Sequence, residues 1–489
     1  MNSTNTAYCM RRCRKALAAA TLLFTAPLLA QWGPPGELDP SFNGGSVLMT
    51  NFFDTGEEIN AAAALPDGRF VVAGSVVGRN VSGTGSSPNF AVARYLPDGR
   101  IDPSFGTNGL FQLDLSGNVD EAHAVKRLSD GSLLVTGMLA PTPYTDFALV
   151  KLRRDGSLDT AFGDDNGVGA RSGYTRLDVR GPSIHDEGHY VAVQSDGRII
   201  VAGNSLVPVG NFQYRRVTVA RYTADGRLDT SFGGNNTGYT VLPATYTDAQ
   251  SSDYVSGIAT TQSGALPAND SITLVGYTFA RNNGFVLRLT RDGLLDTGFN
   301  GSGKVALSSA STSGVYRGAS ELRGGVIDET GRTVLLGTGG DNGFTFLRLL
   351  PNGSQDMSFG TNGRTLMKYS VSTSYDEPRA IALQGNGKIV ASGTAISVAT
   401  GAPRKDFFVT RLQADGKADF GFGDGQGRKV VAAVAEADGA NAVTVEPSGK
   451  ILAAGFALRP GTSQNDFAVL RVFGDPDRIF ADSYEQPVF

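Results

Sequence analysis

The chain has 489 residues, with 43 Lys and Arg against 47 Asp and Glu, a formal charge of −4, and two cysteines. An acidic chain with no basic cluster beyond its first fifteen residues argues against nucleic acid as partner. Both cysteines, Cys9 and Cys13, sit at the extreme N-terminus, which excludes a disulfide framework, a thiolate metal site and a cysteine nucleophile for everything that follows.

Residues 1–30 read as a secretory signal peptide. Arg11, Arg12, Arg14 and Lys15 precede the apolar run "ALAAATLLFTAPLLA", with a cut expected after Ala30. The run is too short for a spanning helix. Arg11-Arg12 raises twin-arginine export, but its surroundings fit that signal poorly. Without this segment 39 Lys and Arg remain against 47 Asp and Glu, a charge of −8. No later apolar stretch is long enough to span a bilayer. The expectation is an exported chain, secreted, periplasmic or at the cell surface, and not membrane-spanning.

From residue 36 onward one phrase recurs: "GELDPSFN", "GRIDPSFG", "GSLDTAFG", "GRLDTSFG", "GLLDTGFN", "GSQDMSFG", "GKADFGFG". Its phenylalanines are Phe42, Phe105, Phe162, Phe232, Phe299, Phe359 and Phe422, at intervals of 57 to 70 residues. Each interval carries four strand signals. In the second they are "AHAVKRL", "SLLVTGML", "FALVKLR" and the stretch around "YTRLDV", punctuated by Asp-Gly turns. No amphipathic helical period survives after residue 30. Four antiparallel strands repeated seven times predict an all-β, seven-bladed β-propeller over residues 31–473, with 474–489 as a tail. A β-trefoil or a β-solenoid is the alternative fold.

The pattern of these repeats, "DGRFVVAG" followed by "FAVARYLPDGRIDPSFG" in the first, resembles the delta-60 repeat of exported bacterial proteins. The resemblance covers nearly all of residues 36–473. It implies a β-propeller and hands over no catalytic residues.

The phrase has a physical reading of its own. In six copies a basic residue precedes the aspartate by eight positions: Arg94 and Asp102, Lys151 and Asp159, Arg221 and Asp229, Arg288 and Asp296, Arg348 and Asp356, Arg411 and Asp419. Between them lies a three-residue turn such as "PDG" or "RDG", whose glycine suits the left-handed position of a bulged hairpin. Residues eight apart then face each other across two strands, where opposite charges contribute roughly 0.2–1 kcal/mol. The phrase is therefore scaffold; no loop offers the alternating oxygen ligands of a calcium motif. Asp39 has only Gln31 eight positions before it, and Arg471 only Ile479 eight positions after. Pro476 also falls where the last hairpin needs a positive φ. Ring closure resolves both: residues 36–50 should complete the last blade beside "FAVLRV", with Asp39 meeting Arg471.

Function is expected on the face that carries the variable loops "VVGRNVSGTGSSPN", "SLVPVGNFQYRR" and "AISVATGAPRK". Polar residues at the entry to the innermost strands should line the mouth of the central channel. The ligand-binding candidates are Asp120, Glu121, His123, His185, Asp186, Glu187, His189, Arg323, Asp376, Glu377 and Arg379. Glu57, Glu58, Asn60, Asp253, Glu321, Asp438 and Asn441 complete the ring, which serves either as a solvated rim capping backbone amides or as a binding rim for a cation, sugar or peptide. One column places His123 and His189 side by side, with Arg323 and Arg379 across from them.

The stretch "HDEGH" spaces His185 and His189 as i, i+4, but at a strand entry rather than on a helix, so a divalent metal is only an alternative and no cofactor is expected. No nucleophile with an oriented base and no phosphate loop can be read. The functional expectation is a monomeric, non-catalytic propeller that binds an extracellular ligand, glycan or protein. A lyase or hydrolase acting on extracellular polysaccharide and a structural envelope or adhesion module are the alternatives. A His-carboxylate cluster would favour the enzyme, and aromatic stacking platforms would favour sugar binding.

Overall fold

A computed structural model describes residues 32–476 except 80–85, 115–116, 142–143, 165–170, 182–183, 246–249, 262–269, 280–282, 308–320, 340–341, 371–374 and 398–402. The expected signal segment, and the tail after residue 476, lie outside the described residues. Seven four-stranded antiparallel sheets form a ring, and a single 3-10 turn lies at Asn43–Gly45. The seven-bladed propeller is the fold.

Blade 1 contains strands Glu57–Ala64, Phe70–Arg79, Ser86–Tyr95 and Leu110–Leu113, paired in that order from the axis outward. The inner strands of blades 2 to 7 are Asp120–Arg127, Asp186–Val193, Asp253–Thr261, Glu321–Ile327, Glu377–Leu383 and Asp438–Val445. Each inner strand packs against the inner strands of its neighbours around the axis. Blade cores interleave from seam to seam, as with Val71, Phe90 and Phe105 of blade 1 against Val125, Val135 and Ala148 of blade 2.

The recurrent phrase is the clasp between blades. All seven basic–acidic pairs form, with Arg94–Asp102 at 2.8 Å, Lys151–Asp159 at 3.2 Å and Arg411–Asp419 at 2.7 Å as examples. The basic group lies over the phenylalanine of its own phrase, 4.4 Å from the ring centroid for Arg288 over Phe299 and 5.8 Å for Lys151 over Phe162. That phenylalanine is at most 2% exposed in every copy. Its ring sits beneath the turn glycine of the next blade: a Cβ on Gly156, Gly226 or Gly293 would lie within 2.8 Å of Phe105, Phe162 or Phe232. These glycines also have φ between +82° and +87°, so two independent constraints demand glycine there. The residue after the phenylalanine then donates its N–H to the next blade's turn, as in Gly106 to Asp155 O at 2.7 Å and Gly360 to Asp415 O at 2.8 Å.

Closure follows the same pattern across the chain ends. The outer strand of blade 7 is Leu48–Thr50, paired with Phe467–Val469, and Leu38 bridges to Val472. Arg471 Nε donates to Asp39 Oδ2 at 2.8 Å, and both side chains are nearly fully buried. Pro35 and Gly36 occupy the turn position that Asp98 and Gly99 hold in blade 1: Gly423 N–H donates to Pro35 O at 2.9 Å. The chain break thus sits inside a hairpin turn, and the N-terminal segment brings its half of that turn with it. Asp475 pairs with Lys388 at 2.6 Å and Arg411 at 3.1 Å, so the tail begins docked in the seam between blades 6 and 7.

Every inner strand carries one bulge, at the same place. Pairing with the second strand skips Asn60, His123, His189, Ser256, Arg323, Arg379 and Asn441 in blades 1 to 7. The bulge drives a carbonyl over the partner strand, where the second strand places Gly74, Gly137, Gly203, Gly276, Gly337, Gly393 and Gly455. A Cβ on Gly203 would lie 1.8 Å from Glu187 O, and one on Gly137 would lie 1.8 Å from Glu121 O. The glycine that ends "VVAG" is the steric counterpart of the bulge.

Three substitutions test this architecture. Asp39→Ala takes away the carboxylate that buried Arg471 shares with Lys450, leaving Arg471 only Glu446, and should cost about 3–5 kcal/mol by thermal or denaturant unfolding. Arg100→Ala removes an exposed pair with Asp98 and should cost under about 1 kcal/mol. Gly203→Ala should destabilise the fold by at least about 3 kcal/mol, because the clash is with backbone and the bulge has nowhere to move.

Candidate functional site

The bulge re-aims one side chain per blade into the axial channel, where a cavity of about 460 Å³ opens. Asn60, His123, His189, Arg323, Arg379 and Asn441, all bulge residues, line it. On one side of the ring these side chains form a circumferential belt. Asn441 donates to Ile59 O at 3.0 Å and to Glu58 Oε1 at 2.9 Å, and Asn60 donates to Ala122 O at 3.0 Å. His123 Nδ1 donates to Gly188 O at 2.8 Å, so each of these blades grips the bulge backbone of the next.

Beyond His123 the belt changes character. The His123 and His189 rings stack with centroids 4.7 Å apart and planes 21° from parallel, so the expected neighbours do meet. Each Nε2 faces the glutamate two residues earlier, His123 to Glu121 at 3.6 Å and His189 to Glu187 at 3.4 Å. Glu187 is also held by both terminal nitrogens of Arg215, at 2.7 and 3.1 Å. Burial pushes the His123 imidazole down, but the Glu121 carboxylate and the Gly188 carbonyl outweigh it and its pKa is raised. Burial wins at His189, helped by the charge of His123, and its pKa is lowered. The first proton taken up by the stacked pair therefore goes to His123.

Arg323 and Arg379 line the same cavity from blades 5 and 6. Arg323 pairs with Glu321 at 2.5 Å, and Arg379 with Glu377 at 3.1 Å. Glu377 is shared with Lys405 at 2.7 Å. Blade 4 contributes aromatic surface: Tyr254 and Tyr277 stack at 5.3 Å, and the half-turned ring of Phe279, 66% exposed, meets Tyr254 edge-on. The Arg323 guanidinium lies 5.1 Å from the centre of the Tyr277 ring.

In every blade but the fifth, the acid three residues before the bulge does something else. Asp120 and Asp186 are 0% exposed and Asp376 is 1% exposed, so these three candidates do not line the mouth. Asp376 accepts N–H bonds from Tyr369 at 2.7 Å and Ser370 at 3.2 Å, and Asp186 accepts one from Val179 at 2.9 Å. Glu57 takes Phe52 and Phe53, and Asp438 takes Ala433, Val434 and Phe407. These carboxylates cap the loop arriving from the preceding blade, because that loop has no sheet partner for its N–H groups. His185 also leaves the channel: its ring packs edge-on against Tyr144, with Nδ1 3.2 Å from Thr145 Oγ1, so His185 and His189 do not converge. Among the described residues, Asp146, Asp178 and Asp186 bring one oxygen each within 4.8 Å of one another, with Arg176 already paired to Asp146.

Sequence reasoning passed over Tyr190, Ser256, Tyr254, Tyr277 and Arg215. Tyr190 was detectable by column: the residue after the bulge is Ala61, Ala124, Gly257, Gly324, Ala380 or Ala442 in the other blades. Only in blade 3 is it large.

Three segments, residues 65–105, 128–162 and 194–232, match a family model described as a domain of unknown function (DUF5122) beta-propeller. The protein is thus a β-propeller by sequence as well as by architecture. No curated protein sequence matches the chain. Among solved structures it is similar to Sqt1 from Chaetomium thermophilum, at 12% identity and TM-score 0.41, over 84% of this chain and 83% of that one. It is similar to the NanB sialidase of Streptococcus pneumoniae at 11% identity and TM-score 0.39, over 87% of this chain and 70% of that one. The polysaccharide lyase Uly1 is similar at 10% identity and TM-score 0.42, over 88% of this chain and 92% of that one. Likenesses this distant carry nothing about activity.

The capping acids give the fold a pH signature. Burial pushes Glu57 up to about 7 and Asp186 and Asp438 up to about 6, against the N–H bonds they accept. Unfolded carboxyls titrate near 4, so between about pH 4 and 7 the folded chain holds more protons and loses stability as pH rises. Glu187 is also buried, but His189 and Arg215 hold it down at about 2; its contribution is full above about pH 4 and is lost as pH falls toward 2. Calorimetric melting temperature should therefore peak between about pH 4 and 5.5 and decline toward pH 8. Glu57→Gln should flatten the decline, since the amide oxygen can still accept from Phe52 and Phe53.

Proposed function

We propose that this chain is an exported binding propeller whose ligand enters the axial cavity from the variable-loop face. The observation that carries the reading is the bulge column. Its backbone geometry is the same in all seven blades, yet it holds Asn, His, His, Ser, Arg, Arg and Asn. Positions under purely structural demand are filled alike, as the Arg/Lys–Asp clasp and the second-strand glycines are. Export is supported by the basic and apolar run of residues 1–30, and by the likeness of the repeat phrase to the delta-60 repeat.

The exposed ring of Phe279, edge-on to Tyr254, supports a glycan as ligand, since a flat aromatic face beside hydrogen-bonding side chains suits the apolar face of a sugar ring. The His123–Glu121 and His189–Glu187 cluster is the one feature that favours a lyase or hydrolase instead. In the binding reading its carboxylates orient the rings, and Glu187 is tied up by Arg215.

A glycan and peptide array on the purified protein, run with and without divalent metal, tests the proposal. The combined change His123→Ala, His189→Ala and Glu187→Ala should abolish binding of the captured glycan while the chain still melts cooperatively, at a temperature lowered by the loss of the Glu187–Arg215 pair and the His123–Gly188 hydrogen bond. Binding that survives the triple change overturns the assignment of the site. Shortened or unsaturated products from a captured polysaccharide would establish the enzyme.

A further inference from the structure

We infer that the cavity contains an oxyanion subsite formed by Tyr190, Ser256, Arg323 and Arg379, and hence that the ligand is a saccharide bearing an acidic group. This rests on the channel-binding reading above and narrows it to a ligand class.

Ser256 supplies a donor without an acceptor. Ser256 occupies the bulge position, where Asn441, Asn60 and His123 reach across to a carbonyl of the next blade. A serine is too short for that reach. Its hydroxyl is buried, lines the cavity and has no hydrogen-bond partner. A buried hydroxyl left unmatched costs about 1–3 kcal/mol, which a ligand acceptor would recover.

Tyr190 lies one residue beyond the bulge of blade 3 and also lines the cavity. The corresponding residues elsewhere are Ala or Gly; its ring packs against the core between blades 3 and 4, with its centroid 6.3 Å from that of His189. Burial pushes its hydroxyl pKa up to about 12, and the charges of Arg323 and Arg379 partly offset that rise, so the phenol feels both arginines. Each guanidinium offers five N–H donors. Each is paired through a terminal nitrogen with the glutamate of its own strand, and Glu377 is further occupied by Lys405.

Charge completes the case. Of the charged groups that line the cavity, Arg323 and Arg379 stand on blades 5 and 6, and Glu58 stands on blade 1 with the two histidines on blades 2 and 3. An anionic group is thus drawn to the arginine side, where planar guanidinium forks suit carboxylate and sulfate oxygens. The faces of Tyr277 are taken by Tyr254 and by Arg323, so the open aromatic surface on this side is the exposed ring of Phe279 beside Tyr254, against which the sugar ring that bears the acid would pack. A free oxyanion would use the donors and leave the aromatic surface unused.

The three histidines provide the readout, because His123 and His189 lie in the cavity and His185 lies outside it. Nitrogen-15 histidine spectra of the full chain are recorded during titration with methyl glucuronide, methyl glucoside and inorganic sulfate. Methyl glucuronide should shift His123 and His189 saturably, leave His185 in place, and bind at least tenfold more tightly than methyl glucoside or sulfate. Tyr190→Phe and Arg379→Gln should each bring glucuronide affinity down toward that of the glucoside. Equal affinity for glucuronide and glucoside, unaffected by Arg379→Gln, overturns the oxyanion subsite and leaves channel binding of neutral sugars standing. Sulfate binding as tightly as glucuronide would show a free-oxyanion site and overturn the saccharide assignment. No shift with any of the three probes overturns both the subsite and the sugar-binding reading beneath it.

Discussion

The ring is held by one contact made seven times, a phenylalanine wedged between a basic side chain of its own blade and the turn glycine of the next. The aspartate of the phrase fixes the basic group, the basic group covers the ring, and the ring leaves no room for a Cβ on the neighbouring glycine. The phenylalanine is buried in every copy, and the ion pair is buried in blades 1, 5, 6 and 7 and partly exposed in the other three, so in the buried copies no element can be lost without stranding the others. Breaking a buried pair is far more costly than its net contribution suggests, because the remaining charge has no water to turn to. The same contact explains why the chain ends lie in a hairpin turn. Asp39 and Phe42 arrive from one end and Arg471 from the other, so the clasp of blade 7 cannot form until the whole chain has come round.

With the outer edge so secured, the inner strands are free to depart from regular pairing. Each spends one residue on a bulge, at the cost of a glycine on its partner strand. A flat strand would send alternate side chains to the blade faces, where they pack against neighbouring blades. The bulge instead turns one polar residue toward the axis, with the strand on either side still paired. Loop capping falls to the separate first acid, three residues earlier, which is buried and keeps the arriving loop in place.

Much of this was legible in the sequence. Strand count, blade number, the Arg/Lys–Asp register and the closing strand all follow from the period of the phrase and the length of its turn, which are local and repeated. The stacked histidines and the facing arginines were legible too, because column alignment converts blade number into angle around the axis. The division of labour between neighbouring acids was not. Asp120 and Glu121 are adjacent and chemically alike, and only the pleat decides that one is buried and the other faces the channel. His185 was misplaced for a related reason: it lies just before the strand, where alignment no longer fixes direction. The bulge could not be read at all, although its counterpart glycine was in plain view at the end of every second strand.

That glycine also shows how a repeat protein separates scaffold from site. In the clasp, in the capping acid and in the glycine, physical demand is the same in each blade, and the sequence answers nearly alike. At the bulge residue and the one after it the backbone imposes a direction but no identity. Departures there are not compensated by neighbours: Ser256 leaves its hydroxyl unmatched, and Tyr190 fills space that Ala or Gly leaves open in every other blade. A sevenfold scaffold offers sevenfold-symmetric surroundings, which suit no ordinary ligand. Asymmetry had to be introduced at positions where it does not weaken the ring. The axis is where seven such positions come within reach of one molecule, and the arginine and histidine walls face each other across it.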